Sequence, residues 1–169
     1  AQKTVAQLKR AKRTVDDWGA PDRALSGGTE MLDLAESEGD ESLLVELARE
    51  LTQGEKQIAD LELKSLLSGE HDRLGALVSI HPGAGGTESQ DWAEMLYRMY
   101  MRWAERHGYA TNILDLQPGD EAGLKDATIE ITGEYAYGYL KAESGVHRLV
   151  RISPYDAAQR RHTSFASVF

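Results

Sequence analysis

The chain has no cysteine. Its stability therefore cannot rest on disulfides, and it can offer no thiolate ligands to a metal. It also lacks any apolar run near the ~18 residues a membrane helix needs, and it has no apolar leader of the secretory kind. An intracellular, cytoplasmic setting is the expectation that follows. The five histidines, His71, His81, His107, His147 and His162, form no His-x-x-His or His-x-x-x-His pair, so no metal and no cofactor is expected. No Ser/His/Asp set stands out, and nucleophilic catalysis is not expected either. With a formal net charge of −9, the body of the protein would be repelled by a polyanion, which excludes a general nucleic-acid coat.

The distribution of charge tells more than its sum. Residues 1–70 carry nine basic against fifteen acidic side chains, and residues 71–140 carry five against eleven. Residues 141–169 reverse the balance, with five basic against two acidic. A small basic region on an acidic body fits docking at one defined place, inside an assembly that supplies contacts of its own. At 169 residues there is room for one domain or two small ones.

Residues 1–70 read as polar helices. Val5, Leu8, Val15 and Trp18 space a first helix over 1–18, which begins without a cap, as if cut from a longer one. Gly19-Ala20-Pro21 is expected to end it, and a second helix is expected over 21–36. After Gly39-Asp40-Glu41 comes a long helix with a heptad-like seam of Leu44, Leu47, Leu51, Ile58 and Leu61. Helices this polar bury one narrow stripe each, so a hairpin or slender bundle is expected over 1–72. Residues 68–72 then read as a hinge.

From 73 onward the pattern changes to a mixed one. Residues 76–80 predict a strand, 87–107 a helix, and 111–116 and 127–132 two further strands. On the helix, Trp92, Met95, Leu96, Met99 and Trp103 are expected to share the core face. Thr87 and Gln90 have the spacing of a capping box. Residues 135–151 read as helix broken at Gly145, and 162–169 as a last strand that places Phe165, Ser167 and Phe169 on one face. The resulting fold class is α+β: a helical hairpin or bundle followed by a β-α-β-β-α-β ferredoxin-like domain over 73–169.

Two segments carry candidate chemistry. The turn Gly83-Ala84-Gly85-Gly86-Thr87-Glu88 lacks the lysine of a phosphate loop and the last glycine of a dinucleotide fingerprint. It remains a glycine turn at a helix N-terminus, with free backbone donors beside the Glu88 carboxylate. Such a set matches the carbonyl and N–H pattern of a uracil edge, although Glu88 could also simply complement the helix dipole. The second segment is basic and holds Arg148, Arg151, Arg160 and Arg161 around Ser153-Pro154-Tyr155 and His162-Thr163. A serine hydroxyl can donate or accept, and so can meet either adenine or guanine. Tyr155 and His162 offer rings for stacking on unpaired bases.

These two segments, GAGGTESQDWAEMLYRMYMRW over 83–103 and GYLKAESGVHRLVRISPYDAAQRRHTSF over 138–165, resemble the bacterial class I peptide chain release factors. The resemblance is to the type 2 members, which answer UGA and UAA. It implies a codon-reading αβ domain after a helical first domain, with the ribosomal decoding site and the stop codon of the mRNA as partners. A GTPase release factor is a further partner it implies for the helical part. By motif position, Gly85 and Glu88 would meet the first base, and Ser153, Pro154 and Tyr155 the second. His162 would stack between second and third, and Thr163 would meet the third. Arg148, Arg151, Arg160 and Arg161 would contact RNA backbone. Tyr155 stands where the type 2 pattern has phenylalanine. The Gly-Gly-Gln motif that promotes ester hydrolysis in the family is absent, so the chain is expected to be an N-terminal fragment that reads a codon without being an enzyme. The alternative is a non-catalytic relative that binds or protects a transcript.

Overall fold

The computed structural model describes residues 2–169, which divide into two compact units at Leu66 and Leu67. The first unit is a helical hairpin of α1 (Gln2–Glu38) and α2 (Glu41–Leu66). Gly39, with φ near +67°, makes the turn, and its N–H closes α1 by donating to the Ala35 carbonyl at 2.9 Å. Asp40 then caps α2, accepting from the Ser42 amide at 2.8 Å and the Ser42 hydroxyl at 2.6 Å. Leu47 lies over Gly28, close enough that a Cβ there would stand 3.0 Å from Leu47 Cδ1.

Two expectations for this half are corrected. No break occurs at Gly19-Ala20-Pro21, because α1 runs on with Pro21 inside it. A proline costs a helix one N–H and crowds the carbonyl four residues back. Here that residue is Asp17, on an exposed stretch where water can take the orphaned carbonyl. Of the expected seam on α2, Leu47 and Leu61 are buried, while Leu44, Leu51 and Ile58 remain exposed. A single pair of helices has only one line of contact to cover.

The second unit is a five-stranded antiparallel sheet with helices on one face. Its elements are β1 (Ala76–Pro82), α3 (Thr87–Arg106), β2 (Ala110–Pro118), β3 (Leu124–Thr132), α4 (Ala136–Leu140), a 3-10 turn (Lys141–Glu143), β4 (Gly145–Ile152) and β5 (Arg161–Val168). The strand order is β2-β3-β1-β5-β4. The first four strands of that order reproduce the ferredoxin-like arrangement expected from the sequence, and β4 adds an edge to it. Ile80, Leu96, Ile129 and Ile131 are the largest apolar side chains wholly enclosed between α3 and the sheet.

The extra strand overturns the helical reading of 135–151. The helix ends at Leu140 and its 3-10 continuation at Glu143. Gly145 (φ near 150°) then opens a strand whose residues alternate between half-buried and exposed to Ile152. Val146, Val150 and Ile152, all β-branched, sit on the exposed side, a period of two that outweighs the helical spacing.

Helix α3 is likewise rotated from expectation. Its core line is Ser89, Ala93, Leu96, Tyr100 and Ala104, whereas Met99 is exposed and Trp92 and Trp103 are partly covered. Small residues on that line let the helix sit close to the sheet. The expected capping box is absent: Gly86 stands at the cap with no side-chain bond, and Thr87 Oγ1 instead donates to Glu121 at 3.1 Å.

Candidate nucleic-acid interface

The β4–β5 hairpin carries residues 153–160 as its loop, and the first turn of α3 comes to meet it. The Ser153 amide closes the loop neck by donating to the Arg160 carbonyl at 3.0 Å. The Ser153 hydroxyl oxygen in turn accepts from the amides of Tyr155 and Asp156, each at 3.0 Å. That local bonding folds the chain tightly around Pro154, whose fixed φ suits a turn. The same hydroxyl donates its hydrogen to Glu88 Oε1 on α3. Ser153 is only 3% exposed, so the side chain singled out for base reading is here enclosed by its own loop and by Glu88.

The approach of α3 depends on glycine at two positions. Gly86 takes φ near +57°, and a Cβ on Gly85 would overlap the Ser89 hydroxyl. Both glycines lie exposed at the head of α3.

A second layer of charge lies behind Ser153. The Arg151 guanidinium, on the inward side of β4, reaches Asp91 at 2.5 Å and Glu88 at 3.4 Å through Nη2. Burial opposes that charge, but the bonds to Asp91 and Glu88 outweigh it and raise the pKa of Arg151. Its Nε is buried without a partner among the described residues. The remaining Asp91 oxygen accepts from the Tyr155 hydroxyl at 3.0 Å. Burial, and then this bond, push the Tyr155 phenol above its ordinary value.

Asp156 organises the far side of the loop. Its Oδ2 accepts from Arg160 Nε at 2.7 Å and from His162 Nε2 at 2.8 Å, while Oδ1 accepts from the Ala158 amide at 2.9 Å. The hydrogen bond from Arg160, followed by that from His162, holds its carboxyl well below the usual range. The turn is completed by Gln159, at φ near +50°, whose amide donates to the Asp156 carbonyl at 2.8 Å.

The structure brings Gly85, Glu88, Ser153, Pro154 and Tyr155 together around the head of α3 and the hairpin loop. His162 joins them through Asp156. Thr163 is the next residue along β5 and is exposed, on the opposite face of the sheet from His162. The four arginines separate. Arg151 is turned inward onto carboxylates, Arg160 is tied by Nε to Asp156 but mostly exposed, and Arg148 and Arg161 are exposed on the outer face. Sequence reasoning missed Asp91 and Asp156. Asp91 follows Glu88 by three residues, a helical neighbour on the same side, and Asp156 follows Ser153 by three in a turn. Those spacings were the available signals.

The PCRF domain family matches residues 1–168 of the chain. The chain is 54% identical over 168 residues to peptide chain release factor 2 of Chloroflexus aggregans, covering 99% of the chain and 46% of that relative. It is 68% identical over 123 residues to the protein of the same name from Thermotoga petrophila, covering 73% of the chain and 33% of the relative. Among solved structures, RF2 of Thermus thermophilus superposes with a TM-score of 0.67 at 46% identity, covering 99% of the chain and 47% of that structure. The chain thus spans about half the length of the curated relatives it matches.

Proposed function

This chain belongs to the PCRF domain family, and from that premise we propose that it reads the stop codons UGA and UAA in the ribosomal decoding site during translation termination. Residues 73–169 act as the reading domain, and the helices of 1–72 form an accessory domain. The helical part offers a surface for a GTPase release factor. Gly85 and Glu88 meet the first-position uracil, and Ser153 on its proline-braced loop meets the purine at the second. His162 stacks between the second and third bases, and Thr163 meets the third. The exposed Arg148, Arg160 and Arg161 face RNA backbone. The chain itself breaks no bond in this reading: it selects a codon, in a bacterial cytoplasm or its equivalent, and peptide release belongs to a Gly-Gly-Gln segment this sequence does not contain.

The observation that carries this reading is the direct bond between Ser153 on the hairpin loop and Glu88 on the head of α3. The two segments that resemble the family's reading elements hold residues 65 positions apart in sequence, yet those residues are directly bonded to each other. A hydroxyl that can turn between donor and acceptor roles suits both purines, and a carboxylate beside free helix amides suits uracil but not cytosine. The test is co-sedimentation of the chain with ribosomes carrying UGA, UAA, UAG or a sense codon in the A site. Binding to UGA and UAA above the other two supports the reading, and equal retention on all four removes it.

A further inference from the structure

Asp156 is absent from the residues that the resemblance assigns to codon reading, yet it bonds to the two ends of the reading loop. Its backbone amide donates to the Ser153 hydroxyl oxygen at 3.0 Å, and its carboxylate accepts from His162 Nε2 at 2.8 Å. The carboxylate side chain is only 12% exposed, whereas that of His162 is 39% exposed. The acceptor is therefore fixed within the loop, and the ring it holds is partly presented to solvent. The local turn immobilises the carboxylate further, because the Ala158 amide occupies its other oxygen at 2.9 Å.

We infer that Asp156 is a positioning residue, which sets the angle and the hydrogen placement of the His162 imidazole and couples that ring to Ser153. The chemistry follows from donor and acceptor counting. An ionised carboxylate only accepts, so the imidazole nitrogen facing it must carry the hydrogen. That fixes Nε2–H and leaves Nδ1 as the ring's other polar atom. A ring held at one edge keeps its flat faces at a constant tilt, which is what stacking on an unpaired base requires. Arg160 shares the carboxylate through Nε only, so its two terminal nitrogens stay available in solvent. The inference rests on the codon-reading proposal for its biological meaning, but the geometry can be tested without it.

The first experiment is made on the chain alone. Nitrogen-15 labelled protein is compared with Asp156→Ala, Asp156→Asn and Arg160→Ala variants for the His162 Nε2–H resonance. The wild-type chain is expected to show a protected, downfield Nε2–H signal. Asp156→Ala should lose it to solvent exchange, Asp156→Asn should retain it in part as a neutral acceptor, and Arg160→Ala should keep it. A signal that survives in Asp156→Ala, or disappears in Arg160→Ala, overturns the assignment. Circular dichroism of each variant establishes that the fold is intact, and Asp156→Asn supplies the comparison if alanine unfolds the loop.

The second experiment measures retention on UGA-programmed ribosomes in a double-mutant cycle. Asp156→Ala and His162→Ala should each weaken binding about tenfold, within the range of a lost base stack, and the double variant no further. Additive losses overturn the coupling. If wild-type chain shows no codon preference, the codon-reading proposal fails, while the resonance result still decides the role of Asp156.

Discussion

Ser153 and Glu88 hold each other: the hydroxyl at the neck of the hairpin loop donates to a carboxylate in the first turn of α3. Both groups are thereby satisfied inside the protein. In the proposed codon reading, a base that meets either of them must exchange this internal bond for its own. Selectivity then becomes a difference between two sets of hydrogen bonds, and a base that leaves Glu88 or Ser153 unmatched loses the exchange.

Replacing Ser153 by alanine should therefore cost stability as well as recognition. The substitution strands the amides of Tyr155 and Asp156 and one oxygen of Glu88 in a place where Ser153 was nearly wholly buried. An expected loss of about 1–3 kcal/mol follows from leaving such groups without partners. Urea unfolding followed by tryptophan fluorescence measures it. In a full-length factor carrying the same change, release on UGA should fall more than on UAA, since guanine gives the hydroxyl its acceptor. Equal loss on the two codons would contradict the role given to Ser153.

Glu88→Gln keeps the shape but exchanges a pure acceptor for a mixed amide, which also weakens the hold on Arg151. Discrimination against cytosine at the first position should relax, because an amide can turn to suit either pyrimidine. Ribosome retention on CAA measured against UAA reports this. An unchanged ratio would remove Glu88 from first-base reading.

The Tyr155 hydroxyl ties the loop to Asp91, so Tyr155→Phe should keep the ring while freeing the loop. Because the side chain is about half exposed, the stability lost should stay below about 1 kcal/mol. The phenol's raised pKa gives a second check. An acid whose folded pKa is raised contributes stability below its unfolded value near 10, and that contribution is lost as pH rises through the folded value. The ring carbon-13 titration of Tyr155 should lie above that of an unhindered tyrosine, and Asp91→Asn should lower it in part, leaving the share that burial raises.

How much of this was legible in the sequence depends on how local each signal was. The strand at 127–132 could be read from Ile129 and Ile131 because alternation is a property of a few neighbouring residues. The meeting of Glu88 and Ser153 came through motif position, since no local rule links residues so far apart. The strand Gly145–Ile152 was hidden because its inward residues, His147, Leu149 and Arg151, are not a uniform apolar row. Trp92 and Trp103 misplaced the core line of α3, since their helical spacing with Leu96 and Met99 suggested a shared inward face where Ala93 and Ala104 are the buried residues. Asp156 went unread, because its partner His162 becomes visible only when the loop closes.

Pro21 offers a test of the first unit by itself. A proline inside a helix costs about 3 kcal/mol relative to a good helix former, and α1 tolerates one on an exposed stretch. Pro21→Ala restores the missing N–H and should stabilise the helical unit by roughly 1–3 kcal/mol. Amide exchange on either side of position 21 should slow in the variant. Unchanged exchange would mean that the helix is already frayed there in solution.

The Asp72–Lys141 pair leads to a prediction about acid. Asp72 is buried, accepts the Gly69 amide at 2.9 Å, and takes the Lys141 ammonium at 2.6 Å and 2.8 Å on its two oxygens. It thereby ties the segment after Leu66 to the turn that follows α4, and the Asp72 carbonyl adds a bond from the Gly138 amide at 3.0 Å. The hydrogen bond from Lys141, and then that from Gly69, lower its pKa. A carboxyl with a depressed folded pKa contributes stability above its unfolded value, near 3.9, and the contribution disappears as pH falls through the folded value. Unfolding of the second unit should thus become steeply pH dependent below about pH 4. Asp72→Asn should lower stability at neutral pH and flatten that acid limb, because the titrating group is gone. Thermal melts of both proteins between pH 2 and 7, followed in the near-ultraviolet where the tryptophans of α3 report, would show it. Parallel curves for the two would mean that other carboxylates, such as Asp156, govern the acid transition.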